Sequence, residues 1–364
     1  MHLSKFQRKI CTTSLWLFVL AGTSRLALAA ADPLPRLGTD PGSNTVSGLS
    51  SGAFMAAQFS VAYSAEIAGA GIVAGGPFFC SGIGGSGAER FIANATGSCL
   101  NPVGPAPSGA EAWRQAQILS EEKAIDSLDH IHRQRIYIFT GAKDKIVNSR
   151  VVAEVKGFYA AAGLKDSQLK YVTHPDAGHS LVTSNTADLG CNANQSPNLN
   201  NCGFVQSQDI LRWLYGDGLK SPSKNLGGKL VSFDQTEFIR AAMKDAKDPD
   251  RYIGLADTGQ VYIPASCSAK NAKCKTHIVF HGCLQNEKTL GDRFYRTTGY
   301  NEMADSNGIV VIYPQTLTGP RNPQGCWDFW GYSSKDPVRP DYYTKAGPQM
   351  RAIDAMLRRV NANP

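Results

Sequence analysis

The stretch with the clearest chemistry is Gly48-Leu49-Ser50-Ser51-Gly52, a G-x-S-x-G frame. Only Ser50 fits its centre, because centring on Ser51 would put Leu49 and Ala53 where glycines are needed. A serine in this frame attacks acyl carbons when it stands on a strained strand-to-helix turn that leaves its Oγ exposed. With 36 glycines among 364 residues the pattern alone carries little weight, so its flanks decide. Asn44 to Ser47 is a short β-prone run, and Phe54 to Ala62 has helical apolar spacing at Phe54, Ala57 and Val61. Small residues at Gly52, Ala53, Ala56 and Ala57 would let that helix lie close to a sheet.

A serine nucleophile needs a base, and the base needs an acid to orient it. The strand predicted over Arg135 to Thr140 ends at Gly141, with Asp144 in the loop beyond it. A helix follows from about Arg150 to Ala162, stopped by Gly163. The next strand, Leu169 to Thr173, runs into Pro175-Asp176-Ala177-Gly178-His179-Ser180. Ser50, Asp144 and His179 therefore stand on loops after successive strands, in the order nucleophile, acid, histidine. Asp176 is the rival acid, but it shares the loop of His179 and is poorly placed to buttress the ring. Ser51 follows the nucleophile, so its N–H is one donor of an oxyanion hole.

The second donor should come from a loop upstream, and almost nothing stands upstream of Ser50. The missing parts come late. A buried-type strand, Thr276 to Phe280, leads into His281-Gly282-Cys283-Leu284-Gln285. A helix-like stretch from Tyr295 to Asp305, a strand from Gly308 to Tyr313 and an amphipathic helix from Ala346 to Val360 follow. The fold class expected is α/β: an α/β-hydrolase, circularly permuted, with a mostly parallel central sheet and helices on both faces. The helix ending near Val360 should then lie beside the strand leading into Ser50. A second, unrelated α/β domain after residue 228 is the competing reading, with Gly216 to Gly228 as the candidate joint.

Gly48 to Gly52, Gly75-Gly76-Pro77, His281 to Gln285, Tyr313-Pro314-Gln315 and Gly325-Cys326-Trp327-Asp328-Phe329-Trp330 together resemble extracellular poly(3-hydroxybutyrate) depolymerases of the single-domain, permuted type. The resemblance covers nearly the whole mature chain. It implies Ser50, Asp144 and His179 as a triad, the N–H groups of Ser51 and Cys283 as the oxyanion hole, and Trp327, Phe329 and Trp330 as substrate-contacting. Where many relatives have a second tryptophan this chain has Phe329. A polyester offers ester carbonyls and methyl branches without charge, so its site should be an apolar crevice with few polar anchors.

Residues 1–29 read as a signal peptide: Lys5, Arg8 and Lys9 precede an apolar core, and Ala27-Leu28-Ala29 is a small-residue cleavage site. Removing it, with its four cations and no acidic residue, lowers the formal charge from +7 to +3, too mild to imply nucleic-acid binding. Residues 30–364 are expected to form a single soluble catalytic domain, secreted to the extracellular space or periplasm, with no membrane contact in the mature form. Beyond Cys11 there are eight cysteines, an even set suited to an oxidising compartment. They allow 105 pairings, and proximity favours Cys80 with Cys99, Cys191 with Cys202, Cys267 with Cys274, and Cys283 with Cys326. The last bridge would tie the oxyanion loop to the aromatic segment. No C-x-x-C pair exists and the histidines lie apart from the cysteines, so no metal is expected, nor any cofactor. The function these readings converge on is a serine esterase hydrolysing poly(3-hydroxybutyrate) or related short-side-chain polyhydroxyalkanoates and their oligomers through an acyl-enzyme. Feruloyl or acetylxylan ester hydrolysis on plant polysaccharide is the alternative.

Overall fold

The first strand, β1 (Thr45–Leu49), sits at the middle of an eight-stranded sheet, buried at every position. The computed structural model describes residues 31–364 apart from 85–86, 245–247, 249–250 and 270–271. The signal-peptide segment read over residues 1–29 lies outside the described residues. Along the chain, β1 is followed by β2 (Gly69–Val73), β3 (Arg135–Gly141) and β4 (Leu169–His174). Short strands β5 (Leu181–Thr183), β6 (Leu189–Gly190) and β7 (Leu199–Asn201) make a separate small sheet. The main sheet is completed by β8 (Lys229–Asp234), β9 (Thr258–Ile263), β10 (Lys275–Phe280) and β11 (Ile309–Tyr313).

Its strand order is β4-β3-β2-β1-β10-β11-β9-β8. The six strands from β4 to β11 run parallel, and β9 is antiparallel to both its neighbours. The apolar runs of β2, β10 and β11 suit strands covered on both faces. The helices are α1 (Ser51–Ala62), α2 (Ala88–Thr96), α3 (Gly109–Glu121), α4 (Ser149–Ala161), α5 (Gln206–Tyr215), α6 (Thr236–Met243), α7 (Glu287–Leu290), α8 (Arg293–Thr297), α9 (Tyr300–Asn307) and α10 (Pro348–Asn361). Helix α1 is buried all round, which explains why its sequence is apolar on every face. It meets α4 through Ser60 and Tyr159, and the turn that follows it meets α10 through Glu66 and Arg358. Thr45 and Ser47 of β1 reach Tyr215 of α5 and Tyr300 of α9.

The permuted order is visible at the seam. Leu37 N–H and Gly38 N–H donate to the Val360 and Ala362 carbonyls at 3.1 and 2.9 Å, so the chain leading into β1 lies against the end of α10. Strand β10, far later in sequence, pairs with β1 in parallel. One expectation needs correction, and the candidate joint takes a definite form. The helix-like stretch from Tyr295 to Asp305 is broken between α8 and α9, because Gly299 takes a left-handed conformation at the start of α9. The segment from Gly216 to Gly228 is a surface connection from α5 to β8, tied to α9 through Glu302 and Asp305.

Beneath the sheet, His277 of β10 is fully buried between Thr45 Oγ1 (2.7 Å) and Ser47 Oγ (2.8 Å). Burial holds its imidazole neutral, with the pKa lowered from 6.5 to about 3. His281, also buried, is lowered to about 4 for the same reason. An unfolded chain would protonate both rings near their ordinary value. Stability is therefore fully present above about pH 6.5 and falls as pH drops towards 4, where the folded protein refuses protons that the unfolded chain accepts. We expect the thermal midpoint to fall between about pH 7 and about pH 4.5. His277→Asn should flatten that acid-side slope in a calorimetric series, and an unchanged slope would count against the account.

Candidate active site

Ser50 occupies the turn between β1 and α1 with φ 57° and ψ −123°, a conformation costing a non-glycine residue about 1–3 kcal/mol. The surroundings impose it. Ser50 N–H donates to the Val73 carbonyl, and the Ser50 carbonyl starts α1 by accepting from Ala53 and Phe54 N–H. The two flanking glycines are required by space. A Cβ on Gly52 would lie 2.2 Å from the Phe280 carbonyl oxygen, and one on Gly48 would lie 2.3 Å from the Gly52 carbonyl. The elbow is thus pressed onto the end of β10, and Gly282 completes the contact, its absent Cβ falling 3.4 Å from Ser50 Cβ.

At the end of β3, Asp144 Oδ1 accepts the N–H groups of Ile146 and Val147 (2.8 and 2.9 Å). Its other oxygen, Oδ2, meets His179 Nδ1 at 2.9 Å, with the carboxylate completely shielded from solvent. That arrangement fixes the tautomer with hydrogen on Nδ1 and leaves Nε2 free to accept a proton. Asp176, the rival acid, is exposed, and its N–H donates to His174 instead. Ser50 and His179 line one pocket of about 540 Å³, together with Cys283.

The loop from His281 to Gln285 is shaped by two side chains. His281 Nδ1 donates to the Gly282 carbonyl (2.7 Å), while its Nε2 accepts from Thr316 N–H (3.3 Å). Gln285 accepts Gly282 N–H at 2.6 Å and donates to the Pro197 carbonyl at 2.7 Å. All four disulfides expected from sequence proximity are formed: Cys80–Cys99, Cys191–Cys202, Cys267–Cys274 and Cys283–Cys326.

The three aromatics of the Trp327 to Trp330 segment separate. Phe329 and Trp330 line the pocket, whereas Trp327 is 0% exposed and packs edge-on against Phe280, behind the oxyanion loop. Phe329 stacks on Phe54 of α1 with centroids 4.3 Å apart, joining the aromatic wall to the nucleophile's helix. The segment is bent around the buried Asp328. Its Oδ1 accepts from the N–H groups of Trp330, Gly331 and Tyr332, and its Oδ2 from Ser333 N–H and Oγ–H. Burial pushes the Asp328 carboxyl up from its ordinary value, and these donors oppose that shift. Asp328 was readable as the first residue of an Asx-type turn before Gly331 and Ser333. The apolar wall formed by Ile92, Ala95, Leu100 and Ile146 had no comparable signal, because those residues lie on loops and on α2. Asn194, which also lines the pocket, was likewise missed.

This strand order with a strained serine after its central parallel strand defines an α/β-hydrolase. No protein-family model matches the chain. Whole-protein comparisons do. A poly(3-hydroxybutyrate) depolymerase of Delftia acidovorans is 37% identical over 341 residues, covering 92% of this chain, which spans 62% of that relative's length. A polyhydroxybutyrate depolymerase of Talaromyces funiculosus is 30% identical over 363 residues, covering 95% of this chain and 96% of its own. A crystal structure of PHB depolymerase from Penicillium funiculosum superposes with a TM-score of 0.77 at 30% identity, over 90% of this chain and 98% of that one. A PHB depolymerase complexed with an R3HB trimer gives the same figures. The chain belongs to the poly(3-hydroxybutyrate) depolymerase family.

The Cys283–Cys326 bridge joins the oxyanion loop to the aromatic wall across 43 residues of sequence. By chain entropy, closing such a loop contributes about 4 kcal/mol. In the Cys283→Ser/Cys326→Ser double variant we expect a clearly lower thermal midpoint and slower turnover of a soluble ester. Both remaining at wild-type values would remove the bridge from any role in the site.

Proposed function

We propose that the protein is a secreted serine esterase that hydrolyses poly(3-hydroxybutyrate), or related short-side-chain polyhydroxyalkanoates and their oligomers. The observation that carries this is the pocket. Ser50 and His179 open into a crevice walled by Phe329, Trp330, Leu100 and Ile146, and among the described residues lining it there is no Lys, Arg, Asp or Glu. Such a site suits an uncharged ester chain. Family membership and the R3HB trimer held by a structural relative support the same substrate class. Four disulfides suit export to an oxidising compartment, and no helix among the described residues is long and apolar enough to cross a membrane.

In this reading Ser50 Oγ attacks the ester carbonyl carbon while His179 Nε2 takes its proton, and Asp144 stabilises the imidazolium. The N–H groups of Ser51 and Cys283 hold the tetrahedral oxyanion. The intermediate collapses as His179 returns the proton to the departing alkoxide oxygen, releasing a chain with a free hydroxyl and leaving an acyl-enzyme on Ser50. Water, deprotonated by His179, then attacks the acyl carbon; the bond to Ser50 Oγ breaks as His179 returns the proton to that oxygen, which frees the acid and restores the serine.

Ser50→Ala should lower kcat/KM on a short p-nitrophenyl ester by roughly 10⁴-fold or more without loss of fold. Retained turnover would remove Ser50 from the role, and no turnover by the wild type would favour a binding protein on a hydrolase scaffold. Clearing of a polymer suspension, compared with release of ferulate or acetate from xylan, separates polyester from plant-polysaccharide esters as the substrate. Polymer attack also needs adhesion. Ile92 and Ile146 line the pocket yet are 51% and 40% exposed, and Val103 is fully exposed on the loop after Leu100. Ile92 and Ile146 give the mouth an apolar rim, and Val103 adds an exposed apolar side chain three residues beyond Leu100, which also lines the pocket. The Ile92→Ser/Val103→Ser variant should lose several-fold activity on polymer film while keeping its rate on the soluble ester. Equal effects on both would place adhesion elsewhere.

A further inference from the structure

The loop closed by the Cys191–Cys202 disulfide touches the acid loop, the histidine loop and Gln285, and its reach to the first two is concentrated in one side chain. Asn194 Oδ1 accepts the His179 N–H at 3.1 Å and the Lys145 N–H at 2.8 Å. Its Nδ2 donates to the Lys143 carbonyl at 3.0 Å and to the Asn192 carbonyl, in its own loop, at 2.9 Å. An amide can accept two hydrogen bonds and donate two, so Asn194 is fully committed. Lys143 and Lys145 are the residues on either side of Asp144. One side chain therefore grips both peptides flanking the acid and, at the same time, the backbone of the histidine.

The backbones converge on this side chain. A Cβ on Gly178 would fall 2.1 Å from the Ala193 carbonyl oxygen, and one on Gly141 would fall 2.1 Å from the Ala177 carbonyl oxygen. The acid loop, the histidine loop and the disulfide loop are thus stacked with no side chain between them at those points. Gly178 N–H donates to the Cys191 carbonyl at 2.8 Å, and Asn200 Nδ2 donates to the Cys191 and Ala193 carbonyls, which holds the residues around Asn194 in place.

We propose that Asn194 is a positioning residue for the Asp144–His179 pair, and that the Cys191–Cys202 disulfide keeps it seated. This rests on the triad reading given above. Asn194 acts on no substrate atom in this account. It braces two loops that are joined directly by the backbone bonds from Ala142 N–H to the His174 carbonyl and from Lys143 N–H to the Ala177 carbonyl (2.8 and 3.0 Å) and, through side chains among the described residues, by the Asp144–His179 bond. Proton transfer by His179 depends on that alignment, and small misplacements of a catalytic group cost heavily in rate.

The experiment is steady-state kinetics on a soluble short-chain p-nitrophenyl ester with the full mature chain. Asn194→Ala should lower kcat by about 10- to 100-fold with KM within about twofold of wild type. In proton NMR, the low-field resonance of the His179 Nδ1–H held against Asp144 should broaden or vanish, while far-ultraviolet circular dichroism stays unchanged. Asn192→Ala, which removes an exposed side chain from the same loop, serves as the control and should match wild type. The Cys191→Ser/Cys202→Ser variant should move kcat and the NMR line in the same direction as Asn194→Ala, to a smaller extent. If that double variant does not fold, Asn194→Ala still decides the matter. A kcat for Asn194→Ala within about threefold of wild type, with the low-field line intact, overturns the proposal. Ser50→Ala run in parallel separates the two failures: loss of activity there with a normal Asn194→Ala overturns only the positioning role, whereas an active Ser50→Ala overturns the triad reading.

Discussion

The contact on which this molecule depends is the approach of the β1–α1 turn to the end of β10, backbone against backbone. Gly48 and Gly52 leave no atom between the elbow and the Phe280 and His281 carbonyls, where a methyl group would overlap them at 2.2–2.8 Å. That closeness brings Gly282 against Ser50 and so sets the His281–Gln285 loop beside the serine. It also holds Ser50 in a backbone conformation it would not adopt alone. The strain is local, and it is offset by a helix buried on every side and by a parallel strand on each flank of β1.

Outward from that contact, the site is built by polar groups with fixed partners. Asp328 gathers five donors to bend the aromatic wall, Gln285 bonds the oxyanion loop to the Pro197 carbonyl, and Asn194 binds the acid loop to the histidine loop. None of these groups faces the open centre of the pocket with a charge. The lining carries no charged side chain; Asn194 reaches it, while Asp328 and Gln285 sit behind it.

Much of this was legible in the residues. The elbow, the strands ending at Gly141 and before His179, and the late His281-Gly282 strand each carry a strong local signal, because apolar runs ended by glycine or proline admit few other conformations. Permutation followed from what each half lacks. Small elements were not legible: β5, β6 and β7 are two or three residues long and are held by the Cys191–Cys202 loop and not by any periodic pattern. The burial of Trp327 was also hidden, since three aromatics in four residues give no sign of which one turns inward. Asn194 is one of several asparagines in a polar stretch, and only the folded loops distinguish it from its neighbours.

The seam between the segment at Leu37–Thr39 and the end of α10 bears on how the chain can assemble. Strand β1 leaves the ribosome early, yet one of its two neighbours is made from residues far downstream: Ser47 and His277, hydrogen-bonded in the finished sheet, are 230 positions apart. A nascent chain holding the serine, the aspartate and the histidine still has an open edge on β1 and lacks the His281–Gln285 loop. The centre of the molecule is therefore closed by long-range pairing, which carries a loop-closure cost and slows folding. Ser50 is made well before the strand and the loop that complete its surroundings.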